Sequence, residues 1–148
     1  MSVKETRELH DLLFTFMGLV HKKFLVRFRQ EYDGLPWMKK NHFKIMSILF
    51  QQHHLTATEI GKRLDLEKGS VTSLIDQLEE KGMVLRHEDA SDRRKSLISL
   101  SAGGREEMRR IMDSYTKKLD DYLDGFNPGE LKQFMDSLRY VVTFMKDM

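Results

Sequence analysis

Apolar side chains return every three or four positions between residue 3 and about residue 32, at Leu9, Leu12, Leu13, Phe16, Leu19, Val20, Phe24 and Phe28, with charges filling the gaps. That spacing predicts one long amphipathic helix ending near Asp33-Gly34. Leu35-Pro36 resists helix, and a second helix is expected from about Lys39 to Gln51, anchored by Phe43, Met46, Ile48, Leu49 and Phe50. His53-His54 then marks a polar turn. Thr56-Ala57-Thr58-Glu59 has the form of a capping box, in which a hydroxyl and a carboxylate satisfy free amides at a helix start. A short helix over Ala57 to Leu64 follows, then the tight connection Asp65-Leu66-Glu67. Residues 68 to 81 predict another helix, with Val71, Leu74, Ile75 and Leu78 on one stripe and Gly82 as its stop. Two short helices joined by so brief a turn have the outline of a helix-turn-helix.

From Met83 the period changes. Met83 to His87 and Ser96 to Leu100 are short β-compatible runs around the polar tip Asp89 to Lys95, which predicts a hairpin over 84–100. Ser101 can cap a further helix carrying Met108, Ile111, Met112, Tyr115, Leu119 and Tyr122 as far as Gly125. Asn127-Pro128 starts the last helix, which carries Leu131, Phe134, Met135, Leu138, Val141, Val142 and Met145. The terminal segments 1–34 and 101–148 thus bear long apolar seams with no evident cover inside one small chain, and dimerisation would bury them. The expected fold is mainly α with a small β-hairpin: a winged helix-turn-helix over 39–100 with N- and C-terminal dimerisation helices, all in one domain, 1–148.

Composition narrows the function. The chain has 148 residues, 40% hydrophobic and 32% charged, as suits a helix-rich globular protein. It has no cysteine, so disulfides, thiolate nucleophiles and thiolate metal sites are excluded. No apolar stretch approaches the length of a membrane span and the N-terminus does not resemble a secretory signal, so a cytoplasmic protein is expected. G-x-S-x-G, G-x-x-x-x-G-K and H-E-x-x-H are all missing, and no enzyme reading survives. The net charge of +2 does not by itself indicate a polyanion partner. Residues 51–95 hold eight Lys/Arg against nine Asp/Glu, so the case rests on placement.

Placement does favour duplex DNA. With the apolar stripe of helix 68–81 turned inward, Gly69, Ser70, Thr72, Ser73 and Gln77 lie outside or on its flanks, and Lys68 adds a cation at its start. Small side chains let a helix backbone sink into a major groove, where Ser, Thr and Gln can bond base edges or phosphates. Arg93, Arg94 and Lys95 on a narrow hairpin could enter the minor groove. Asp92, among these cations, is assigned to pinning a neighbouring Arg or the loop backbone. Lys62 and Arg63, like Lys39, Lys40 and Lys44, could touch phosphates.

Residues 55–64, Val71 to Val84 and Asp89 to Arg94 followed by Leu97-Ile98-Ser99-Leu100-Ser101 resemble the MarR family (multiple antibiotic resistance regulators). The family's Asp/Arg wing signature appears here as Asp89-Ala90-Ser91-Asp92-Arg93-Arg94, with Ser91 where a charged residue is often found. The resemblance implies a homodimer whose first and last helices intertwine, paired helices in successive major grooves of a pseudo-palindromic operator, Arg94 in the minor groove, and a ligand-responsive repressor. Ser73 stands where relatives often carry a long basic side chain, so affinity should lean on phosphates and shape. The family's frequent aromatic or phenolic effectors would bind between dimerisation helices and reading head, where Phe14, Phe24, Trp37, Phe43 and Phe50 are candidates, although helical spacing makes ordinary core packing the plainer account of them. No effector is identified and no cofactor is expected. His10, His21, His42, His53, His54 and His87 include no pair at helical i, i+4 spacing, so no metal ligand is assigned. A metal-responsive regulator and a winged helix that binds protein instead of DNA are the alternatives.

Overall fold

Ser2 opens the first helix, α1 (Val3–Val20): its hydroxyl accepts the Glu5 N–H at 3.3 Å and the Glu5 carboxylate accepts the Ser2 N–H at 2.6 Å. The computed structural model describes residues 1–27 and 34–148, so Phe28 and the expected helix end near Asp33 lie outside the described residues. The helix does not continue uniformly, because His21–Leu25 form a π-helical turn. Apolar spacing of three and four fits both geometries, which is why the pattern did not reveal it. No residue of α1 is buried.

The central part of the chain is built from α2 (Lys40–Gln51), β1 (Leu55–Thr56), α3 (Ala57–Leu64), α4 (Lys68–Glu80), β2 (Val84–Glu88) and β3 (Ser96–Leu100). The capping box at Thr56 is formed, with its hydroxyl on the Glu59 N–H and the Glu59 carboxylate on the Thr56 N–H, both at 3.2 Å. Asp65 ends α3 in the left-handed region at φ 52°. Close approach of the two helices needs Gly61, where a Cβ would sit 3.2 Å from the Leu66 carbonyl oxygen and 3.3 Å from Val71 Cγ2. The strands form an antiparallel sheet in the order β1-β3-β2, with Leu55 opposite Ile98 and Val84 opposite Leu100. β1 was not expected: two residues carry no periodicity, and only pairing with β3 makes them a strand.

One core joins these elements. Ile45 and Leu49 of α2, Ile60 of α3, Ile75 of α4 and Ile98 of β3 are fully or almost fully buried against one another. Each contributes about 1.5–3 kcal/mol by leaving water. Helix α5 (Ala102–Leu123) adds Met108 and Ile111 to this core. Ser101 caps α5, accepting the Gly104 N–H at 2.9 Å while donating to the Gly82 carbonyl at 2.5 Å. Gly82, at φ +72°, turns the chain out of α4.

The chain divides into two compact units, 1–115 and 116–148, the boundary falling inside α5. The second unit holds the end of α5 and helix α6 (Pro128–Lys146). Asn127 starts α6, its side-chain oxygen accepting the Gly129 and Glu130 N–H groups at 2.8 and 3.2 Å. No residue of α6 is buried, and Phe134, Met135, Val142 and Phe144 are all exposed. Among the described residues no helix is long and apolar enough to cross a membrane.

Candidate nucleic-acid interface

Helix α4 turns Val71, Ile75 and Leu78 into the core, and this leaves Lys68, Ser70, Thr72, Ser73 and Gln77 exposed. Ser70, Ser73 and Gln77 fall on one stripe, three and four residues apart. Thr72 donates its hydroxyl hydrogen to the Lys68 carbonyl at 3.0 Å and therefore presents lone pairs outward. Lys62 is exposed in the last turn of α3, one short turn before α4.

The loop between β2 and β3 is held by two aspartates. Asp89 accepts the Ser91 N–H at 2.9 Å and the Ser91 hydroxyl at 2.7 Å. Asp92 accepts the Arg94 N–H at 3.0 Å and Arg94 Nε at 3.2 Å. The Arg94 guanidinium beside it, helped by the backbone amide, holds the Asp92 carboxyl below the ordinary aspartate range. Bonds from the Ser91 amide and hydroxyl do the same for Asp89. The loop closes with Asp89 N–H on the Lys95 carbonyl at 3.1 Å and Lys95 N–H on the Asp92 carbonyl at 3.0 Å. Arg93, Arg94 and Lys95 stay exposed at its tip, Arg94 with 91% of its side chain in solvent. The result is a stiff loop carrying cations, beside a helix whose outer stripe is short and polar.

A profile described as the MarR family matches residues 38–96. The chain carries a MarR-family domain. The repressor YetL of Bacillus subtilis is 28% identical over 103 residues, 68% of this chain and 62% of that protein. The uncharacterised regulator YcgE of the same organism is 32% identical over 89 residues, 60% of this chain and 58% of that protein. The chain thus spans about three fifths of the length of each of these two relatives. Among solved structures, a MarR family protein from Bacillus stearothermophilus superposes with a TM-score of 0.73 over 99% of both chains at 21% identity. A mutant form of MarR from Escherichia coli gives 0.64 at 20% identity, over 96% of this chain and 97% of that one. Both likenesses are of fold.

Two residues of the MarR domain that sequence reasoning missed tie the interface together. Arg86, on β2, reaches back to α4, with Nη2 2.5 Å from Asp76 Oδ1 and Nη1 2.9 Å from Glu79 Oε1. The bond to Asp76 raises the guanidinium further above its already high pKa. Arg86 thereby fixes the hairpin to α4 and pairs with two carboxylates on that helix. The sequence did hold a signal: a single Arg in the strand after a helix bearing Asp76 and Glu79 on neighbouring turns. His42, buried on α2, is the other residue, its Nε2 lying 2.7 Å from Gln77 Oε1.

Four of the five aromatic candidates have described surroundings. Trp37 packs edge-on against His42, Phe43 against Tyr115, and Phe50 lies under Arg105. Phe14 instead lines an open groove of about 510 Å³ on the first helix with Phe16, Met17, Val20 and Leu25. Among the described residues no group of three or more His, Asp or Glu is placed to hold a metal ion.

Proposed function

We propose that this chain is a homodimeric, sequence-specific regulator of transcription, acting in the cytoplasm as a repressor, that sets α4 in the major groove and the 89–95 loop in the minor groove of a pseudo-palindromic operator. The observation that carries the reading is the joint exposure of Ser70, Ser73 and Gln77 on one side of α4 and of Arg93, Arg94 and Lys95 on a loop braced by Asp89 and Asp92. Lys62 and Lys68 supply phosphate contacts. Relatives named as transcriptional regulators and a repressor support the class of activity.

Dimerisation follows from the exposed apolar seams of α1 and α6, which a lone chain would leave in water. Two reading helices then meet half-sites about one helical turn, roughly 10 base pairs, apart. A small aromatic effector that alters DNA binding fits the same scheme. For one structural relative, BpsR of Bordetella bronchiseptica, DNA binding is described as regulated by 6-hydroxynicotinic acid.

Selection from random duplex DNA followed by a gel shift tests the reading. One duplex should be retained by two protomers, with affinity falling steeply as salt rises. Arg94→Ala and Ser73→Glu should each abolish specific retention. Specific binding left intact in both variants refutes this surface, and a protein partner bound in place of DNA refutes the function.

A further inference from the structure

His42 is 2% exposed, and its ring bridges two elements. The Lys39 backbone N–H, which can only donate, points at Nδ1 from 3.0 Å. Nδ1 therefore carries no proton, and the neutral ring carries its hydrogen on Nε2. That hydrogen is donated to Gln77 Oε1 at 2.7 Å. Trp37 packs edge-on against the ring and holds it from the side.

The consequence reaches the exposed stripe of α4. With its carbonyl oxygen committed to His42, Gln77 turns its amide nitrogen outward, one N–H leaning on Ser73 Oγ at 3.4 Å. Ser73, having accepted that bond, keeps its own hydrogen to give away. Gln77 therefore faces outward as a donor, and Ser73, which keeps one lone pair, can donate beside it. A freely rotating Gln would read adenine with both ends of its amide, accepting from N6 and donating to N7. Held by His42, the Gln77 oxygen keeps a second lone pair but no longer turns freely, so this two-ended pairing with adenine is lost.

We propose that His42 is a positioning residue that polarises the reading helix, so that the Ser73–Gln77 stripe selects a keto base, guanine or thymine, over adenine and cytosine at the position it touches. The keto oxygens, O6 of guanine and O4 of thymine, accept in the major groove, where the amino groups of adenine and cytosine donate. This rests on the DNA-reading function proposed above.

Sequence selection from randomised duplexes with three forms of the full chain tests it. Wild type should enrich guanine or thymine at one position of each half-site. Gln77→Glu keeps an oxygen for His42 and presents a second acceptor, so that position should switch to cytosine or adenine by about tenfold. Residue 77 is exposed, so this variant should fold. His42→Asn keeps an acceptor for the Lys39 amide but falls short of Gln77, and the preference for keto bases over adenine should shrink to about twofold. Thermal unfolding confirms that both variants are folded. A position that responds to residue 77 but is adenine or cytosine in wild type overturns the proposal. So does a Gln77→Glu pattern identical to wild type, or a His42→Asn pattern that retains the wild-type bias. Imidazole nitrogen shifts supply a check that needs no DNA: Nε2 must be protonated and Nδ1 bare, and the reverse tautomer overturns the proposal. If wild type enriches no sequence at all, the DNA-reading function falls and the base preference with it.

Discussion

Replacing Arg86 with Ala separates what the hairpin-to-helix link does for stability from what it does for binding. The Arg86 side chain is 30% exposed, and those of its partners Asp76 and Glu79 are 59% and 43% exposed, so solvent screens both pairs. Allowing for that screening, their loss costs about 1 kcal/mol of stability, or roughly 2–5 °C in unfolding midpoint. The effect on DNA is of another kind. Asp76 and Glu79 sit on the reading helix, and removing Arg86 leaves one further uncompensated negative charge close to the phosphates. At roughly 8 Å and an effective dielectric between 20 and 80, that charge costs about 0.5–2 kcal/mol of binding, a loss of about 2- to 30-fold. Fluorescence anisotropy on a selected operator at two salt concentrations, beside thermal unfolding, reads both effects. The affinity loss should be larger at low salt, because mobile ions screen it. Arg86→Lys should restore most of the affinity and only part of the stability, since one ammonium replaces the charge but not the fork. If Arg86→Ala melts earlier yet binds as tightly as wild type at low salt, the carboxylates do not face the duplex and this reasoning is wrong.

Further outcomes follow from particular contacts. Gly104→Ala would drive a Cβ into the Met83 carbonyl oxygen and to 2.9 Å from the carbonyl carbon, backbone atoms that cannot move aside cheaply. It should destabilise the chain by about 1–3 kcal/mol or more in denaturant unfolding, and a neutral result would show that the helix start has room. Thr56→Ala breaks the capping box of α3 and should cost about 1 kcal/mol, with Thr56→Ser recovering most of it. The Asp89 and Asp92 carboxyls are held below their ordinary value of 3.8, so their support for the loop is complete above that pH and fades only as acid carries the solution through their lower folded values. The amide shifts of Ser91 and Arg94, followed by NMR, should therefore show no carboxyl-linked midpoint above 3.8, and one at higher pH would mean that those bonds do not form in solution.

The parts of the fold that were legible in sequence are those whose cause is local. Thr56 and Glu59 mark the start of α3 because both halves of the capping box lie within four residues. Val71, Ile75 and Leu78 mark the buried side of α4 by spacing alone. The loop residues Asp89 and Asp92 act on amides two positions away, so a reading that paired Asp92 with a nearby Arg needed no tertiary information. What stayed hidden depends on distance along the chain. His42 and Gln77 are 35 residues apart, and nothing in either segment says that a buried ring will claim the amide oxygen of an exposed side chain. In sequence, Gln77 therefore offered both a donor and an acceptor to a base. The π turn at His21–Leu25 was hidden for a different reason, since it changes backbone bonding without changing which positions are apolar.

Charge placement resolves what the count left puzzling, that a segment with eight cations and nine acids should approach a polyanion at all. Several of the acids are committed to structure. Glu59 caps α3, Asp76 and Glu79 hold Arg86, Asp89 holds the Ser91 turn, and Asp92 braces Arg94. Pairing does not alter the net charge, but it decides where the charge stands. Fields at the surface die away over about 8–10 Å at physiological salt, so a phosphate responds to the side chains it meets, not to the segment's sum. The tip presents Arg93 and Lys95 in the open, while Asp89 and Asp92 are half-buried beside their own loop. The acids thus stiffen the loop that carries the cations forward. Neutralising either acid would therefore raise the net charge and yet loosen the surface that makes charge useful.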